Sequence, residues 1–484
     1  MTVATVPLIP GPQSPGMPEN AADPAITLTW HELDRELRQA ERTGLCARPI
    51  RLTGRIAAID LATGELGVMY DTSSEPGGEL LTACGNRREK VCPSCSAVYK
   101  RDARQLVRAG LTGGKGIPDT VAQHPCVFAT FTAPSFGPVH SRRMRGTTVL
   151  PCRPRRDARQ RRCSHGHDIS CPRRHGDTDP RLGRPLCAQC YDYTAAVLFN
   201  ARAGDLWRRF TTYLPRHLAR LAGLTPAGLR DLARVRYVKV AEYQARGVIH
   251  YHALIRLDAP GDTYQPPPPG LDTALLCQAI TDAAAAVAVD ADAPGRTLVT
   301  LRFGDQVDPR PITPGHAGTG RKLSVSAVGN YLAKYATKAL DAPGVPDRPL
   351  RSAADIDALG CSRHYRQMIT TAWQLGGGRH FPARTRLCKW AHMLGYGGHF
   401  LTKSRRYSVT FGQLRRARLE HRQRQHHPTG PRDPWGRPLD ERVVLVLRTW
   451  TYQGTGHTIA HDTDLALSSA ARAREHHDQA DDPD

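Results

Sequence analysis

Along the chain the spacing of apolar residues changes several times, and each change marks a candidate element. Residues 1–25 are proline-rich without an aromatic side chain, which predicts a disordered tail. From Ile26 the spacing turns helical through WHELDRELRQAERTG, so 26–80 reads as a helix followed by strand. Residues 81–195 are rich in Cys and Arg, with a single strand-like island at 127–133 inside CVFATFTAPSFG. Amphipathic helices follow in AAVLFNARAGDLWRRFTTYLPRHLARLAG, then two alternating runs in VKVAEYQARGVIHYHALIRLD, Val238 to Asp258. A proline-rich loop, an Ala-rich helix near 273–289, a strand at 297–303 and the helix SAVGNYLAKYATKAL complete a core over 196–341. Beyond it lie a basic helical region over 342–425, with QLRRARLEHRQRQHH, and a C-terminal segment over 426–484 with an acidic tail. Interleaved strands and helices of this kind predict an α+β protein.

The paired strands carry the first chemistry. His250 and His252 are two apart and therefore share one strand face, their α-carbons about 7 Å from each other. Ala245-Arg246-Gly247 suits a three-residue hairpin loop with Gly in the left-handed position. That register sets Glu242 opposite His250 and Gln244 opposite Val248. A slip of two would make Gln244 the third ligand instead. One carboxylate and two imidazoles form a donor set suited to Mn²⁺ and workable with Mg²⁺.

Farther on, Tyr331 and Tyr335 stand four apart, one turn of helix from each other, with Lys334 and Lys338 as a parallel pair. A phenol with a pKa near 10 attacks a phosphodiester only with help from a neighbouring cation or a bound metal.

FATFT at Phe128 to Thr132, HYH at His250 to His252 and YLAKYATK from Tyr331 resemble, in that order, the three signatures of the HUH endonuclease superfamily. The doubled tyrosine is particularly similar to that of phage gene A initiators. The cysteine-rich flank and the segment YGGHFLTKSRRYSVTFG extend the likeness to replication initiators of actinomycete plasmids and integrative conjugative elements, over roughly Leu81 to Phe411. This resemblance implies an HUH core with a five-stranded antiparallel sheet flanked by helices. It implies His250, His252 and Glu242 as ligands of a catalytic divalent ion, Tyr331 and Tyr335 as nucleophiles, and Lys334 and Lys338 as supports for phosphate or phenolate. The implied activity is nicking and rejoining of single-stranded origin DNA in rolling-circle replication. A conjugative relaxase or a two-tyrosine transposase would use the same chemistry, and a non-catalytic zinc-containing DNA-binding regulator would need only the cysteines and arginines.

Cys84, Cys92 and Cys95 form C-x₇-C-x₂-C, a set one ligand short that Cys46, His124, Cys126 or Cys152 would complete. Cys163, Cys171, Cys187 and Cys190 supply four thiolates, enough for one tetrahedral structural Zn²⁺, with His165, His167, His175 and Cys152 nearby as further candidates. Such a zinc-binding region would fold an arginine-rich segment that has too few apolar residues for its own core. Cys277, Cys361 and Cys388 stand alone and read as core residues.

Charge narrows the partners. Lys and Arg outnumber Asp and Glu by 67 to 45, a formal charge of +22 that points to a polyanion, DNA foremost. Neither a bilayer-spanning apolar run nor a secretory leader pattern is present, which predicts a cytoplasmic protein and cysteines kept reduced. AGLTGGKG and GHAGTGRK both lack residues a phosphate-binding P-loop needs. Strand separation and synthesis would thus fall to a host helicase and polymerase.

Overall fold

The computed structural model describes residues 30–154, 157, 161–261, 264–293, 296–312, 332, 344–346, 348–377, 385–426, 430–440, 443–458, 463, 464, 466–468, 471 and 472. The chain divides into two compact units, one drawn from residues 1–100 and 412–484, the other from 101–411.

In the first unit the strand Ile50–Asp60 pairs antiparallel with Leu66–Asp71, with Leu80–Thr82 and, along its whole length, with Val444–Thr455. The long partner lies in the segment that the sequence offers only as a C-terminal stretch with an acidic tail. Its side chains are mostly exposed on both faces, so the alternation of buried and solvated positions that betrays a strand is weak. Arg437 ties the segment down, donating to both Asp433 and Asp60 at 2.7 Å.

The second unit is built on a five-stranded antiparallel sheet. Its strands are β1 (Cys126–Phe131), β2 (Arg234–Tyr243), β3 (Ile249–Asp258), β4 (Val307–Pro311) and β5 (Leu401–Lys403), in the order β4-β1-β3-β2-β5. Both edges suit their place. Pro309 and Pro311 in β4 have no N–H to give to a further strand, and β5 is three residues long.

The pleat sorts the sheet into a face packed on the main core and an opposite face that mixes polar groups with the buried Phe128, Val238, Val240 and Leu254. Val127, Ala129 and Phe131 of β1 join Ile249, Tyr251, Ala253, Ile255 and Leu257 of β3 in the main core. Helix α1 (Tyr193–Leu221) contributes Ala203, Leu206, Trp207, Phe210, Leu214 and Leu218 to the same core, spaced by three and four as one helical stripe. Phe131 meets Trp207 and Phe210 edge-on, ring centres 5.5 and 4.8 Å away. Helix α2 (Thr273–Ala286) adds Leu276, Ala279, Ile280 and Ala283. It stops short of the predicted 289 because Ala288–Ala293 is a strand, paired with Arg296–Arg302 in a separate two-stranded sheet. Helix α3 (Arg363–Gly376), capped by Ser362, packs Met368, Ile369 and Ala372 inward. Among the described residues no helix is long and apolar enough to cross a membrane. The opposite sheet face carries Thr130, His250, His252, Arg256, Asp258 and Glu242.

Candidate metal centres and hairpin site

Glu242 pairs with His250 in the β2–β3 ladder, and Val240 pairs with His252. This is the register that a three-residue turn imposes. Gly247 has φ +73° and its N–H donates to the Gln244 carbonyl at 2.8 Å, while Gln244 N–H donates to Val248 O at 2.9 Å. Gln244 does not reach the histidines by a slipped pairing; its Oε1 accepts from Arg246 Nε at 2.9 Å. His252 Nε2 lies 3.5 Å from Glu242 Oε2, and the two imidazole centres are 4.5 Å apart.

β1 and the residue that follows it supply the rest of the wall. Thr130 Oγ1 lies 3.2 Å from His252 Nδ1, Thr132 Oγ1 lies 3.2 Å from His250 Nδ1, and Phe128 stacks on His252 with ring centres 5.6 Å apart. Both rings are thus engaged at Nδ1, which leaves Nε2 as the nitrogen suited to a ligand. Burial, with the charges of His252 and Arg246, pushes His250 down to about 3, so its imidazole is neutral. FATFT marks this strand in the sequence, but its two threonines acquire a role only once Thr130 is seen opposite His252.

The turn itself is gripped from several sides. Asn200 of α1, fully buried, donates through Nδ2 to the carbonyls of Gly247 and Leu394 at 2.9 Å and accepts from Ile249 N–H at 2.8 Å. Arg246 donates to the carbonyls of Ala133 and Pro134 at 2.7 Å. From α3, the Tyr365 hydroxyl donates to Ala245 O at 3.0 Å and His364 Nε2 lies 3.0 Å from Arg246 O. Nothing local to these side chains announces that they meet one turn from distant parts of the chain. Tyr331, Lys334, Tyr335 and Lys338 lie outside the described residues; of the segment YLAKYATK only Leu332 is described, helical and buried.

Among the described residues, three groups of cysteine and histidine converge so that their donor atoms lie within 4.8 Å of one another, and each could hold a metal ion. Cys46 completes the set of Cys84, Cys92 and Cys95, with Cys46 Sγ 3.6 Å from both Cys92 Sγ and Cys95 Sγ. That spacing is far beyond the roughly 2.05 Å of a disulfide. The other candidates for this place are occupied elsewhere. His124 bonds Asp258, Cys126 lies in β1, and Cys152 belongs to a different group.

The second thiolate set is regrouped. Cys163, Cys187 and Cys190 stand together with His165, not with Cys171. Cys171 exchanges backbone hydrogen bonds with Arg153 at 2.8 and 2.9 Å, which places it beside Cys152, and it joins His140, Cys152 and His175. Spacing along the chain cannot reveal this, because the grouping depends on an antiparallel pairing within an irregular loop. His165 Nδ1 is 3.3 Å from Cys190 Sγ and 3.9 Å from Cys187 Sγ.

At the far end of the same sheet face a different polar group is sealed in. Arg256, fully buried, donates from Nε and Nη2 to Asp258 at 2.6 and 2.8 Å, and also to the Gly110 carbonyl. His124 Nδ1 lies 2.8 Å from the same carboxylate.

Fold and sites define a class: a strongly basic α+β protein with antiparallel sheets, whose cysteines and histidines gather into clusters fit for metal ions. Comparison with known proteins narrows it. The family model described as "Replication initiator protein, pSAM2" matches residues 32–471. A replication initiator protein from Streptomyces ambofaciens is 45% identical over 431 residues, 87% of this chain and 86% of the relative. The chain belongs to the RepSA family of replication initiators. No solved structure matches it.

Proposed function

We propose that this chain binds a replication origin and initiates rolling-circle replication by nicking single-stranded DNA with a tyrosine. The observation that carries the reading is the gathering of Glu242, His250 and His252 on one sheet face in a member of an initiator family. In the tautomer with each ring's proton on Nδ1, shared with its threonine, Nε2 would offer a lone pair, and Glu242 would supply the carboxylate of the set. Mn²⁺ or Mg²⁺ held there would polarise the scissile phosphate.

The remaining work falls to this chain's own residues. Arg and Lys side chains, in excess by 22 over the acids, hold the DNA backbone. Tyr331 or Tyr335 attacks through its phenolate oxygen. A Tyr–O–P bond forms as the P–O3′ bond breaks, giving a 5′-phosphotyrosine and a 3′-hydroxyl that primes synthesis by a host polymerase behind a host helicase. Lys334 and Lys338 steady the phenolate and the phosphate. The second tyrosine then cuts the regenerated site, and the free hydroxyl displaces the first to close the circle.

Structural Zn²⁺ fits the two thiolate-rich clusters. A tetrahedral zinc with bonds of about 2.3 Å separates its sulfurs by about 3.8 Å, close to the 3.6 Å seen around Cys46. Cys163, His165, Cys187 and Cys190 form the other.

The test is a labelled single-stranded origin oligonucleotide incubated with the full chain. Mn²⁺ or Mg²⁺ is expected to yield a covalent adduct that chelator abolishes and that the Tyr331→Phe/Tyr335→Phe double variant cannot form. An adduct that persists in that variant overturns the nucleophiles, and tight binding without any cleavage favours a DNA-binding regulator.

A further inference from the structure

His140, Cys152, Cys171 and His175 remain unused by the proposed function. Three of the four are buried, His175 completely. His175 Nε2 lies 3.2 Å from His140 Nδ1 and 3.5 Å from Cys171 Sγ. Around one tetrahedral zinc ion two nitrogens stand about 3.3 Å apart, and a nitrogen stands about 3.6 Å from a sulfur. The arrangement has those spacings.

The outer shell points the same way. His175 Nδ1 lies 2.7 Å from Asp179 Oδ2, and Arg181 holds that carboxylate through its backbone N–H at 2.9 Å, Nε at 3.0 Å and Nη2 at 2.7 Å. With the proton kept on Nδ1 by the carboxylate, Nε2 turns a lone pair into the cluster, the relay that orients metal-bound histidines. Charge agrees as well. Two thiolates and a dication sum to zero, so this cluster, three of whose four members are buried, would bury no net charge.

We propose that His140, Cys152, Cys171 and His175 hold a third structural zinc ion, and that this ion sets the position of the β2–β3 turn. The link is the loop after Arg181. Gly183 N–H donates to His140 O at 2.8 Å, and His140 N–H donates to Arg184 O at 2.9 Å, stitching a ligand to the loop. Gly183, with φ +79°, lies so close to the turn that an added Cβ would meet the Ala245 carbonyl carbon and oxygen at 2.1 Å. Backbone therefore packs directly on the turn that joins Glu242 to His250. Binding displaces the two thiol protons to solvent. Only the value of this placement for nicking rests on the proposed function; the ion itself does not.

Native mass spectrometry of the full chain, purified under reducing conditions in the presence of zinc, tests the site. Beyond an ion at the hairpin, which a His250→Ala/His252→Ala chain lacks, three ions per chain are expected, one for each of the three clusters among the described residues, one fewer in His175→Ala, and three again in His175→Cys, which restores a fourth ligand. Asp179→Asn should still fold and should give up one ion to a competing chelator about 10–100-fold more readily. A wild-type chain with two ions or fewer, unchanged by His175→Ala, would overturn the site. Hydrogen exchange over residues 243–249 tests the placement: faster in His175→Ala, normal in His175→Cys. Unaltered exchange in a chain that has lost one ion would overturn that half. Neither readout involves cleavage, so a chain that carries three ions but never forms a DNA adduct sinks the nicking reading and leaves this one standing.

Discussion

The polar face of the central sheet has two ends that use the same strands for opposite ends. At the β2–β3 turn, Glu242 shares a sheet face with two histidines, its Oε2 3.5 Å from His252 Nε2, and His250 is held neutral by burial. At the other end Asp258 meets Arg256 and His124, and cation and anion answer each other within hydrogen-bonding distance. Burial works to raise the Asp258 carboxyl, but the bonds from His124 and Arg256 outweigh it and hold it below the usual range. One end surrounds its carboxylate with cations, Arg256 at 2.6 Å and Arg236 at 3.7 Å, and is spent on holding the sheet. The other gathers lone pairs and a negative charge, an arrangement that makes chemical sense when a cation is added. A buried polar group is therefore informative by its charge balance more than by its burial.

Substitutions at the two ends should separate activity from stability. The largest effect is expected for His250→Ala with His252→Ala: loss of metal-dependent adduct by about 1,000-fold or more, as befits removal of two ligands, with little change in thermal unfolding. Retention of the adduct would remove the metal assignment. Asp258→Ala should do the reverse. It strands Arg256 in the interior and costs about 3–5 kcal/mol, read as a lower unfolding midpoint, while cleavage measured well below that midpoint stays normal. An unfolding midpoint left in place would show that Arg256 finds another partner. Thr132→Val is intermediate. It deprives His250 Nδ1 of the Thr132 hydroxyl 3.2 Å away and should raise the Mn²⁺ concentration needed for half-maximal cleavage by about 10-fold; an unchanged requirement would make Thr132 a packing residue.

The same contrast separates what the sequence reveals by itself from what only the fold brings together. The hairpin is legible because the signals that set its register are local, even though the side chains that grip it are not: period-two alternation, and a Gly three residues past Gln244 that takes φ +73°. Arg256 and Asp258 are also two apart and share a face, yet their partner His124 stands 134 positions from Asp258. Cys84, Cys92 and Cys95 could be grouped from spacing, since two of them begin one helix, Pro93–Thr112, or immediately precede it. Cys171 could not, because its neighbours are chosen by the pairing of Arg153 with Cys171. The three-residue β5 escaped for the same kind of reason. A strand that short has no period to detect and exists because β2 offers an edge.

The smallest effect, and one of opposite sign, is expected on the apolar face. Lys239 alternates with Val238 and Val240 and so points into the core, its Nζ 4.1 Å from the centre of the Tyr251 ring and 5.6 Å from that of Trp207. Both rings attract an ammonium, but burial weighs more and pushes Lys239 down to about 7 from 10.5. Between those two values the unfolded chain binds a proton that the folded chain refuses, so stability rises with pH across that window and carries the full penalty below it. Lys239→Met removes the penalty and keeps the volume. The variant should be more stable by about 1–2 kcal/mol at pH 7, the lost ring contacts offsetting part of the gain. That advantage should shrink as the pH approaches 10. Unfolding midpoints at pH 6, 8 and 10 check it: a gap that narrows with pH identifies a lysine strained by burial, whereas a constant gap means that Lys239 keeps its charge and the benefit of methionine is packing alone.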